Sequence, residues 1–80
     1  MNDKSRLYWQ CRRGMLELDL LLQGFLEQGH DALSSDEKQA FENLLTCPDD
    51  LLLAYLLGHT VPADGLTADV VEKIRHAAVP

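Results

Sequence analysis

Residues 34–45 read SSDEKQAFENLL, and this stretch decides the fold class. Ser34 is followed three positions later by Glu37, the spacing of a capping box. In that device a hydroxyl and a carboxylate each accept from a backbone N–H that a helix start leaves without a partner. Behind the cap, Ala40, Phe41, Leu44 and Leu45 fall on one helical face. A capped start feeding an apolar stripe predicts a helix that packs inward through those four residues.

The chain on either side reads the same way. Downstream, Pro48 is suited to the first position of a fourth helix, with Asp49 and Asp50 in its electropositive first turn. Gly58 predicts its stop. Residues 59–65 form a loop around Pro62 and an Asp64-Gly65 turn signal. A last helix over residues 67–78 carries Val70, Val71, Ile74 and Ala77 inward. Upstream, residues 14–28 place Met15, Leu18, Leu22, Phe25 and Leu26 on one face. Leu16, Leu20 and Leu21 widen that face, as in a helix with several neighbours. Gly24 lies inside it at a cost of about 1 kcal/mol relative to Ala, which predicts a bend or a close helix crossing. Residues 4–12 form a short first helix with Leu7, Tyr8 and Cys11 grouped. No segment alternates as a strand does. The expected architecture is all-α, a compact bundle of five short helices forming a single domain over residues 1–80.

Composition narrows the function. Eighty residues bury on folding only roughly 60–65% of the surface of the unfolded chain, leaving little room for an enclosed active site. The net charge is −6, from seven basic and thirteen acidic residues. A nucleic-acid partner is therefore not expected, because phosphate binding needs a basic surface. The charge is also uneven: residues 1–13 carry +3 and residues 14–80 carry −9. Such an asymmetry can orient a partner, or can simply solubilise a terminal helix. The longest apolar run, residues 51–57, is seven residues long. A membrane-spanning helix needs about 20, so no membrane insertion is expected. Residues 1–13 lack the apolar stretch of a signal peptide. Cys11 and Cys47 have no C-x-x-C spacing and read as small hydrophobes. A cytoplasmic setting is the natural expectation.

The search for chemistry is largely negative. His30, His59 and His76 are widely spaced and read as surface or loop histidines, not metal ligands. The glycines form no nucleotide cradle, and no serine sits in a nucleophile elbow. What remains is the junction at residues 12–17, RRGMLE. Arg13 and Glu17 are four apart and can pair along a helical face for about 0.2–0.5 kcal/mol. Gly14 can be only a turn between helices, or it can let another chain approach the backbone closely.

The run Trp9-x-Cys11-Arg12-Arg13-Gly14-Met15-x-Glu17-Leu18-Asp19 resembles the signature of the succinate dehydrogenase flavinylation, or FAD assembly, factor family. The likeness continues through Phe25, Leu33-Ser34-x-x-Glu37, Phe41, Leu44-Leu45, Asp50-Leu51-Leu52 and Ile74-Arg75. Tyr55 departs from it, since the family often has Trp there. The resemblance implies a five-helix cytoplasmic protein that is not an enzyme. Such a protein binds the flavoprotein subunit of succinate dehydrogenase, and in bacteria the related fumarate reductase subunit. It promotes a covalent bond between a partner histidine and the 8α carbon of FAD. No cofactor is implied as stably bound by this chain, because the FAD is the partner's. The family motif maps onto Arg13, Gly14 and Glu17, and the partner-binding set so implied is Trp9, Arg12, Arg13, Gly14, Glu17 and Asp19. An antitoxin-like regulatory protein is the alternative of a different class. An acidic bundle suits the masking of a basic target, but the Arg12-Arg13 end suits it less well.

Overall fold

A computed structural model describes residues 3–77, with side chains from Ser5 onward. Among these residues there are five α-helices and no strand. They are α1 Asp3–Gln10, α2 Leu16–Gln28, α3 Ser35–Leu44, α4 Asp49–Leu56 and α5 Gly65–Ala77, with a 3-10 turn at His30–Ala32. The expected five-helix bundle is what the chain forms. No helix among the described residues is long and apolar enough to cross a membrane.

The capping box at the start of α3 forms in full. The Glu37 N–H donates to Ser34 Oγ at 3.1 Å, and the Ser34 N–H donates to Glu37 Oε1 at 2.9 Å. The apolar stripe behind it is buried as its spacing requires: Ala40, Phe41, Leu44 and Leu45 all face the core. Phe41 is fully buried and meets the Phe25 ring at a centroid distance of 5.6 Å. Helix α5 closes the bundle by packing on α2, α3 and α4, burying Val70, Val71 and Ile74. Lys73 on α5 also donates to the second oxygen of Glu37, tying the last helix to the cap of the third.

Several local expectations are corrected. His30 is buried, not exposed, with its ring 5.4 Å from that of Phe41. The 3-10 turn after α2 folds it back over the core. Pro48 stands one residue before α4, whose first residue is Asp49. Helix α5 starts at Gly65, two residues early, because Asp64 Oδ2 accepts from both the N–H and the hydroxyl of Thr67, at 2.9 and 2.8 Å. Helix α2 runs through Gly24 without interruption. An added Cβ there would meet no atom within 4 Å, so no close helix crossing is built on it. Gly24 instead lines an open groove with Leu20, Leu21, Phe25, Gln28 and Ala77. Ala77 and Met15, both expected inward, are exposed.

Denaturant unfolding checks this ranking of contacts. Phe41→Ala should cost about 3–5 kcal/mol through an unfilled core site. Ser34→Ala should cost about 0.5–2 kcal/mol through loss of the cap. Acid adds an independent check. Lys73 donates to Glu37, and so does the Ser34 N–H; together they hold its carboxyl below the ordinary value of 4.5. A depressed folded-state pKa means that this stabilisation is complete above the unfolded value and is lost as the pH falls through the folded one. The melting temperature should therefore drop below pH 4.5, and Glu37→Gln should make that drop shallower. An unchanged acid limb in Glu37→Gln would rule this carboxylate out as a contributor.

Candidate functional site

Between α1 and α2 the chain turns through residues 11–15, and this junction holds most of the residues singled out by the family signature. Cys11 anchors one end. It is fully buried, and its N–H donates to the Leu7 carbonyl at 3.0 Å. Burial pushes its thiol up to about 11, with Asp19 adding to the rise and Arg13 opposing it. At neutral pH the group is therefore a protonated, sheltered hydrophobe and not a nucleophile. The next residue, Arg12, turns outward and lies over the Trp9 ring at 5.4 Å. Such an exposed cation–π contact contributes about 0.5–1 kcal/mol.

Arg13 does the opposite and turns inward. Its N–H donates to Asp19 Oδ1 at 2.6 Å. Its guanidinium donates to Asp49 Oδ1 at 3.1 Å through Nη1 and to the Leu45 carbonyl through Nη2. Leu45 caps the C-terminus of α3, where carbonyls lack helical partners and partial negative charge accumulates. Asp49 is the first residue of α4, where a carboxylate is favoured. One cation thus bridges the end of one helix and the beginning of the next, and only 16% of its side chain is exposed.

This geometry corrects the expected pairing of Arg13 with Glu17. Helix α2 begins at Leu16, so Arg13 lies outside it and the four-residue spacing does not place the two on one face. Gly14 stands between them at φ +83°, a left-handed conformation that reverses the chain. Glu17 is left exposed, with no hydrogen bond or ion pair among the described residues. Asp49 and Leu45 were not expected as partners of Arg13 because they lie 36 and 32 positions from it. Helix capping already accounts for an acidic residue after Pro48.

Around the junction several large apolar side chains are exposed. Trp9 is 62% exposed, Leu16 75% and Leu20 64%, while Tyr8 and Met15 are also exposed. Trp9 and Arg12 belong to side-chain types enriched at the centres of protein interfaces. Of the six signature residues, Trp9, Arg12, Gly14 and Glu17 face outward, whereas Arg13 and Asp19 are partly buried and bonded to each other. No group of three or more His, Cys, Asp or Glu side chains that could hold a metal ion occurs among the described residues.

Gly14 allows the conformational part of this site to be measured alone. A Cβ there would meet no atom within 4 Å, so any cost of adding one comes from its positive φ. Gly14→Ala should lower unfolding free energy by about 1–2 kcal/mol. Gly14→Asn should lose less, because Asn tolerates the left-handed region better. Equal losses in denaturant melts would contradict this conformational explanation.

A family model described as "Flavinator of succinate dehydrogenase" matches residues 5–78. An FAD assembly factor SdhE from Legionella pneumophila (strain Paris) is 51% identical over 74 residues, 92% of each chain. Proteins of the same name from Idiomarina loihiensis and Coxiella burnetii are 45% and 44% identical over 71 residues. Those alignments cover 89% of this chain and 79% and 87% of the relatives. With nearly its whole length matched, this chain belongs to the family of flavinators of succinate dehydrogenase.

Proposed function

We propose that this chain binds the flavoprotein subunit of succinate dehydrogenase through the α1–α2 junction and promotes covalent attachment of its FAD. The related fumarate reductase subunit is a second client of the same kind. The supporting observation is that four of the six signature residues, Trp9, Arg12, Gly14 and Glu17, face outward. Trp9 and Leu16 are exposed beside Glu17, whose carboxylate has no partner among the described residues. Exposed apolar side chains rimmed by polar and charged groups mark surfaces where a partner binds.

In this reading Trp9, Arg12, Gly14 and Glu17 meet the client. The aromatic and the guanidinium supply contact area, Gly14 allows a close backbone approach, and Glu17 accepts a client donor. Arg13 and Asp19 hold the turn beneath them. The factor acts by holding the client with its histidine directed at the flavin 8α carbon, since orientation alone can lower a barrier by several kcal/mol. Bond formation belongs to the client and its flavin. The junction's one thiol is buried and protonated, which fits a binding role better than a catalytic one. The chain keeps no cofactor of its own and works in the cytoplasm.

Reconstitution tests this directly. Apo-flavoprotein, FAD and this chain are mixed, and covalent flavin is read by in-gel fluorescence over time. Glu17→Ala and Trp9→Ala should each slow its appearance by about tenfold, with melting curves like that of the parent. Both variants folded and fully active would remove the junction from the client surface.

A further inference from the structure

We propose that Asp49 is a positioning residue for flavinylation: acting through Arg13, it clasps the turn at residues 11–15 in its client-ready shape. The inference rests on the reading of that turn as client-facing. It adds a residue from a different helix, 36 positions from Arg13, which the signature does not contain.

Three observations carry it. Both terminal nitrogens of Arg13 are committed inside the chain, Nη1 to Asp49 and Nη2 to the Leu45 carbonyl, and the side chain is mostly covered, its Nε buried without a partner. Reaching a client would require breaking both contacts, and Arg12 beside it is already exposed for that purpose. Second, Arg13 is held at both ends, by Asp19 of α2 at its N–H and by the α3–α4 corner at its guanidinium. These bonds fix a residue that lies in no helix. Third, its neighbour Gly14 has φ +83°. Glycine has the widest conformational freedom of any residue, so an untethered Arg-Gly pair would leave this turn for many other shapes. A turn ordered in advance spares the complex the entropy of ordering it on binding.

Affinity should then depend on the clasp while the chemical step does not. Asp49→Ala removes the acceptor, and its side chain is 40% exposed, so the core stays closed. Asp50→Ala is the control: it removes a first-turn carboxylate from the same helix but has no bond to Arg13. In the free chain, backbone order parameters at Gly14 and Met15 should fall from about 0.85 to below about 0.6 in Asp49→Ala, and stay high in Asp50→Ala. With the full-length flavoprotein and FAD, Asp49→Ala should raise the half-saturating concentration of the factor about tenfold. The maximal rate of covalent flavin formation should stay within about twofold. Arg13→Ala should match it, and the double variant should be no worse than Arg13→Ala. The clasp is overturned if Asp49→Ala leaves the order parameters unchanged, or if Asp50→Ala has the same effect. It is also overturned if Arg13→Ala lowers the maximal rate in the Asp49→Ala background, because Arg13 would then be touching the client. Loosened order parameters with an unmoved half-saturating concentration would overturn the proposal differently: the clasp would exist, but the turn would not be the client-facing surface.

Discussion

The turn between α1 and α2 is tied to the rest of the bundle by one partly buried guanidinium. Helices α2, α3 and α5 form a core around Phe41 and Phe25. The short α1 joins it through a five-residue turn that belongs to no helix. Arg13 ties that turn to the helices by donating to the Leu45 carbonyl and to Asp49, while its N–H is received by Asp19. A charge withdrawn from water is costly unless it is paired and hydrogen-bonded. Here a carboxylate and the negative end of a helix both compensate it.

The same constraint separates two kinds of residue in one short signature. Arg12 and Arg13 are adjacent and chemically identical, yet one lies over Trp9 at the surface and the other points into the α3–α4 corner. Gly14 makes this possible because its positive φ turns the chain between Arg13 and the start of α2. Glu17, freed from the pairing that its spacing suggested, is available to another molecule.

The regular parts of the fold were legible in the sequence because they rest on local rules. The capping box at Ser34 and Glu37 and the stripe from Ala40 to Leu45 depend on contacts within a helix or on its face. The starts of α4 and α5 were misjudged by one and two residues: Pro48 stands just outside its helix, and Gly65, read as part of the loop, is the first residue of the other. His30 was misread because nothing local reveals that the chain folds it back onto Phe41. At the functional junction, the residue types were legible and their partners were not. The bond between Arg13 and Asp49 joins residues 36 apart, and the nearer acid, Glu17, offered a simpler partner that the start of α2 excludes.

Trp9 is the only tryptophan in the chain and lies on the surface assigned to the client. Labelling it with 5-fluorotryptophan gives the protein a single fluorine resonance that reports on that surface alone. Titration with unlabelled flavoprotein subunit should shift and broaden this resonance in proportion to the complex formed, as the exposed ring becomes enclosed. A complex that forms at full stoichiometry while the resonance keeps its position and width would contradict the account, because the client would then be bound elsewhere on the bundle.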